Sequence, residues 1–118
     1  MNNNIEEIKK FNGLWTVDFI STLNRSGKGV IVLSNKRLFG GDSGYYYTGS
    51  YNIKNGIITA DLVVIRHDPN WLSVFGAIDS FKLSFSGQAD NLHFKALGSI
   101  VGAPELKISI VGNKKEDF

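Results

Sequence analysis

The chain has 118 residues, 42% of them hydrophobic, which is enough for one domain that buries roughly two-thirds of its unfolded surface. It has no cysteine, so disulfides and thiolate metal sites are excluded. The net charge of +2 is scattered, with Lys9-Lys10 and Lys114-Lys115 near opposite ends, so the basic stripe of a direct nucleic-acid binder is missing.

The opening Met1-Asn2-Asn3-Asn4-Ile5-Glu6-Glu7 is polar and acidic, unlike a secretory signal. The longest strongly apolar run, residues 62–65, is too short to span a bilayer. A cytoplasmic protein without membrane contact is expected. Ile5, Ile8 and Phe11 sit three apart, which predicts a short N-terminal helix or arm over residues 1–12 that must dock to persist.

From Gly13 the period changes to two, and a barrel domain is expected over 13–112. Strands are predicted at 14–20, 29–33 and 37–41, then at 45–53 and 57–66, where Lys54-Asn55-Gly56 gives a hairpin signal. Three more follow at 80–86, 92–96 and 106–110, and residues 113–118 read as a charged C-terminal tail. Thirteen glycines against two prolines suit many short strands and tight turns. Eight sequential strands with no crossover helix predict an all-β fold, an eight-stranded antiparallel up-and-down lipocalin-like β-barrel. A two-sheet sandwich is the alternative. A barrel of this size is filled by its own side chains or holds one small ligand.

The histidines His67 and His93 fall at separate strands with no nucleophile or metal-ligand spacing around them, so catalysis and metal binding are not expected and no cofactor is implied. Gly40-Gly41-Asp42-Ser43-Gly44 opens a tyrosine-rich strand instead of a helix and lacks a following lysine. It reads as a turn whose glycines supply positive φ and whose Asp42 or Ser43 bonds nearby amides, not as a phosphate cradle. On the next strand Tyr45, Tyr47 and Tyr51 share a face with Gly49 between them, while Tyr46 points the other way. Aromatics around a glycine either make a ligand niche or cover the glycine in a barrel wall. The predicted ligand cavity consists of Trp15, Val17, Phe19, Tyr47, Phe81, Leu83, Phe85 and Phe94.

Strand 57–66 is apolar on both faces in its C-terminal half, so something must cover its outer side. With the apolar segment that follows, this predicts a homodimer interface of Leu62, Val64, Trp71, Leu72, Val74 and Phe75. A lid over the barrel mouth is the alternative use of 71–75.

Two features carry a resemblance. Gly13-Leu14-Trp15 resembles the G-x-W signature of lipocalin-type barrels. Gly27-Lys28-Gly29-Val30-Ile31-Val32-Leu33 is followed by the block Gly40-Gly41-Asp42-Ser43-Gly44-Tyr45-Tyr46-Tyr47-Thr48-Gly49-Ser50-Tyr51 and by Val64-Ile65-Arg66-His67. Together these resemble the GrlR family of small bacterial regulators of type III secretion genes. That resemblance implies a homodimeric lipocalin-like barrel, an interior open to an apolar ligand, and repression by binding a transcriptional activator protein instead of DNA. The acidic hairpin such a regulator uses for its partner is replaced here by Asn52-Ile53-Lys54-Asn55-Gly56, so those contact residues do not carry over. A GrlR-type negative regulator and a lipid or small-molecule carrier are the two functions expected, and both are non-enzymatic.

Overall fold

Residues 4–118 are described by a computed structural model. The expected arm is a helix, α1 (Asn4–Phe11), and residues 1–3 of that segment lie outside the described residues. Eight strands follow: β1 (Gly13–Ser21), β2 (Ser26–Ser34), β3 (Arg37–Gly41), β4 (Tyr45–Lys54), β5 (Ile57–Arg66), β6 (Ser80–Ala89), β7 (His93–Ile100) and β8 (Ala103–Asp117). Each pairs antiparallel with the next, and β8 pairs back onto β1 through contacts such as Phe19↔Ile110, closing an up-and-down barrel. Closure excludes the sandwich and leaves no free sheet edge along most of the wall.

Local chemistry sets the hairpins. Asn35-Lys36 and Asn55-Gly56 adopt positive φ at both central positions, the two-residue turn geometry that matches strand twist. Turns 34–37, 54–57 and 90–92 lie at one end of the barrel with α1. Turns 22–25, 42–44 and 101–102 lie at the other end with the long 67–79 connection.

The helix plugs its end. Ile8 and Phe11 are buried there, and Phe11 stacks on Trp15 with ring centroids 5.0 Å apart. Trp15 is 0% exposed and donates its indole Nε1–H to the Phe11 carbonyl at 2.9 Å. The Glu7 carboxylate accepts from the Asn55 and Gly56 amides, 2.9 Å each, tying the helix to the β4–β5 turn. These two bonds hold the Glu7 carboxyl below its ordinary range. Gly13, at φ 148°, lies so close to the Glu116 carbonyl that a Cβ would sit 2.1 Å from that oxygen, which explains the glycine of the G-x-W triplet.

The C-terminal tail expected over 113–118 is instead strand as far as Asp117. Trp15 pairs with Lys114 and Gly13 with Asp117, because β1 needs a partner along its whole length for the barrel to close. Charge concealed this strand. Lys114 ion-pairs with Asp117 and donates Nζ–H to the Lys10 carbonyl at 2.6 Å, at the negative end of the α1 dipole.

Candidate functional site

At the end opposite the helix, the barrel interior is open, with a cavity of about 290 Å³. Of the eight residues predicted to line it, Val17, Phe19, Tyr47, Phe81, Leu83, Phe85 and Phe94 do so. Trp15 does not: it lies beneath the floor, sandwiched between Phe11 and Phe94, whose ring centroid is 5.4 Å from its own. The inward faces of β2, β3, β5 and β8 contribute Ile31, Leu33, Leu38, Ile58 and Ile108, which are absent from the set predicted from the sequence. Their alternation with exposed neighbours was the available signal.

A barrel this rich in phenylalanine retains open space because of glycine. Phe19 faces Gly27 across the β1–β2 pair, Phe85 faces Gly98 across β6–β7, and Phe94 faces Gly112 across β7–β8. In each pair the ring is laid over the glycine: a Cβ there would meet ring carbons at 2.6, 2.5 and 2.1 Å respectively. Rings that occupy the space of missing side chains lie along the wall and leave the lumen clear.

The strand expected to form a dimer interface is oriented differently. Leu62 and Val64 point into the barrel and line the cavity, so they cannot also meet a second subunit. The outward residues of that half-strand are Val63 and Ile65, since successive residues alternate faces. Val74 and Phe75 are likewise buried, as a lid over the mouth. Phe75 meets Phe81 edge-on at 5.6 Å, Ser21 Oγ donates to the Val74 carbonyl at 2.6 Å, and Tyr45 Oη donates to the Ile78 carbonyl at 2.7 Å. Arg66 holds the loop from below, bonding the Asp79 carboxylate and, at 3.1 Å, the Trp71 carbonyl. Trp71 and Leu72 line the cavity from this loop yet stay 51% and 55% exposed on its outer flank.

The glycine-rich block forms the rim beside this loop, with the Gly44 carbonyl accepting from His67 N at 2.8 Å. Gly40, Gly41 and Gly44 do not take positive φ as expected; the constraint on them is close packing. A Cβ on Gly40 would sit 2.2 Å from the Val30 carbonyl oxygen, and one on Gly44 2.3 Å from Trp71 Cβ. Asp42 does bond the turn amides: its Oδ1 accepts from Gly44 N at 3.0 Å and Tyr45 N at 2.9 Å. Its Oδ2 accepts from the Tyr47 hydroxyl. Burial pushes that hydroxyl well above the ordinary phenol range, and the hydrogen bond and charge of Asp42 push the same way. Tyr45, Tyr47 and Tyr51 are all buried and Tyr46 faces out, as the alternation requires. Tyr51 lies away from the cavity lining, and Gly49 packs against the Asp61 carbonyl.

Both histidines are tied to neutral partners, His67 Nε2 to the Asp42 carbonyl at 3.1 Å and His93 Nδ1 to Asn113 Oδ1 at 2.7 Å. Among the described residues no three histidine, aspartate or glutamate side chains gather in a metal-binding group. No helix among them is long and apolar enough to cross a membrane.

Comparison with known proteins gives a fold and no family. No protein-family model matches the chain, and no curated protein matches it. Solved β-barrels do. One is described as a redesigned beta barrel, mFAP1, bound to DFHBI; it is 14% identical with a TM-score of 0.63, over 92% of this chain and 97% of that one. Another redesigned beta barrel, b11L5F_LGL, is 16% identical with a TM-score of 0.50, over 92% and 95% of the two chains.

Proposed function

We propose that this protein is a non-enzymatic small-molecule-binding barrel that takes an apolar ligand beneath the 67–79 loop. The observation that carries the reading is the open lumen itself. Phe19, Phe85 and Phe94 are each accommodated over a glycine, so an aromatic-rich interior retains a cavity of about 290 Å³ with an almost wholly apolar lining. Such a cavity, with a few polar groups at one end, is the usual form of a ligand site. The barrel neighbour bound to DFHBI supports the same use of the architecture. The test is calorimetric titration with naphthalene, a rigid apolar probe. Saturable one-to-one binding is expected, and no detectable heat, with no change in the protein's NMR chemical shifts in a parallel titration up to the solubility limit, would sink the reading.

A second proposal keeps the regulatory role that the 40–51 block suggests: a cytoplasmic GrlR-type homodimer whose contact with an activator protein is biased by the ligand. What favours it is the outer wall. Val30, Gly41, Tyr46 and Ile65 align across β2 to β5 in one row, and Val32, Phe39, Thr48 and Val63 in the next. These rows, instead of Leu62 and Val64, are the surface a second copy would cover. Sedimentation of the wild type and of Phe39→Glu decides it: a concentration-dependent dimer abolished by the substitution supports the proposal, and a wild-type monomer at high concentration removes it.

A further inference from the structure

The geometry points to a cavity selective for ligands of one or two rings that bring a hydrogen-bond donor, above all an ammonium group, to Asp42, and selective against carboxylates. This rests on the ligand-binding reading above and adds the chemistry of the head group.

Two turns of the barrel show which part of Asp42 is structural. In the β6–β7 turn, Asp90 Oδ1 accepts from Leu92 N and His93 N at 2.9 Å each, and Asp90 N donates to the His93 carbonyl at 2.9 Å. The β3–β4 turn repeats this device with Asp42, Gly44 and Tyr45, including Asp42 N donating to the Tyr45 carbonyl at 2.9 Å. The turn therefore needs Oδ1. At Asp42 the second oxygen meets Tyr47, whose ring belongs to the cavity wall, and both residues line the cavity. Tyr47 reaches this point because residue 29 is glycine: a Cβ there would lie 2.8 Å from the Tyr47 hydroxyl oxygen.

The carboxylate stands beside an opening in the wall. The β2–β3 ladder ends at Val30↔Gly41, so residues 26–29 of β2 pair with β1 alone. Ser26, Gly27 and Lys28 line the cavity on one side of this notch, with the Lys28 ammonium turned to Asp18, and Asp42 and Ser43 line it on the other. Lys28 and Lys115 line a surface pocket that also includes Asp42; Lys28 Nζ bonds Asp18 at 2.8 Å, and none of the ion pairs among the described residues includes Asp42. An ionised carboxylate offers about four acceptor positions. Two amides and one phenol fill three, which leaves one for a ligand donor.

A donor placed there meets a negative charge against an apolar wall, where a charge-assisted hydrogen bond is stronger than in water. A carboxylate placed there meets like charge, with the Tyr47 proton already committed to Asp42. The volume of about 290 Å³ is about twice that of a cavity known to hold benzene, which sets the body at one or two rings.

The experiment titrates the full chain near pH 7 with naphthalene, 2-naphthol, 2-naphthylmethylamine and 2-naphthoate. The amine is expected to bind about tenfold tighter than naphthalene, and the carboxylate about tenfold weaker. Asp42→Asn keeps an Oδ1 acceptor for the turn and should erase the amine preference, read within the variant as the ratio of amine to naphthalene affinity. Tyr47→Phe, which frees an acceptor position on Asp42, should keep the preference. Naphthalene binding with no discrimination between amine and carboxylate, or an amine preference that survives Asp42→Asn, overturns the inference while the ligand-binding reading stands. Failure of naphthalene and of all three derivatives overturns both.

Discussion

Phe94 lies over Gly112, its cross-strand partner on β8, so closely that a Cβ on residue 112 would meet the ring at 2.1 Å. The pair links two properties. The glycine removes a side chain from the wall, and the ring that fills the gap closes the floor of the cavity above Trp15 without protruding into the lumen. Stability and ligand capacity therefore depend on the same contact.

Gly112→Ala forces the Phe94 ring off the wall. The expected cost is about 1–3 kcal/mol, the range for overpacking a core, together with weaker naphthalene binding as the ring enters the cavity. Gly87→Ala is the contrasting case, since its Cβ would sit 1.9 Å from the Lys95 carbonyl oxygen, a backbone atom with less freedom to move than a ring. Urea denaturation should show a larger loss for Gly87→Ala, with an effect on binding only through folding.

Tyr47 makes stability fall at high pH. Its hydroxyl titrates above the unfolded value of about 10, so the folded state keeps a proton that the unfolded state has released. The stability is complete below pH about 10 and is lost as pH rises from there through the folded value, at up to about 1.4 kcal/mol per pH unit. Tyr47→Phe should flatten the decline by one proton while costing about 1–2 kcal/mol at neutral pH, through the lost bond to Asp42. Urea midpoints between pH 8 and 11 check both.

Glu7 ties α1 to the barrel by accepting hydrogen bonds from two amides of the β4–β5 turn, which hold its carboxyl below the ordinary carboxylate range. The sign is opposite to that of Tyr47. This contribution is complete above the unfolded pKa and is lost as pH falls through the lower folded value. In a Trp71→Phe background, Trp15 emission should shift red in acid as the helix releases Phe11 from the indole. Glu7→Gln should remove that transition, with the emission already red-shifted relative to the wild type at neutral pH.

Phe75 holds the 67–79 loop over the mouth through its edge-on contact with Phe81. Phe75→Ala is expected to cost about 3 kcal/mol, as for other large-to-small core changes. Naphthalene dissociation should be faster than in the wild type, measured by stopped-flow.

The barrel was legible because nearly every strand alternates and every hairpin carries its turn residue; Asn55-Gly56 marks the β4–β5 turn directly. β8 beyond Ile110 was hidden because Lys114, Lys115 and Glu116 sit where the barrel meets a helix and solvent, with no apolar alternation to report pairing. Seven of the eight predicted cavity residues were found by periodicity. Trp15 was misplaced because alternation gives the face of a strand and not the depth along it, and depth depends on a helix docking at that end. Both faces of β5 are apolar, so the facing of Leu62 and Val64 is undetermined until Leu62↔Leu83 and Val64↔Phe81 are paired. The role of Asp42 at the turn was visible, whereas its bond to Tyr47 required the three-dimensional approach of residues 42, 47 and 29.

The central claim is that an apolar ligand sits inside the barrel, and intermolecular NOEs to bound naphthalene test it most directly. Cross-peaks to the methyl groups of Leu62, Val64, Leu83 and Ile108 are predicted, with none to Val63 or Ile65. Cross-peaks confined to Val63, Ile65 and their outer-wall neighbours, or no saturable binding at all, would contradict it.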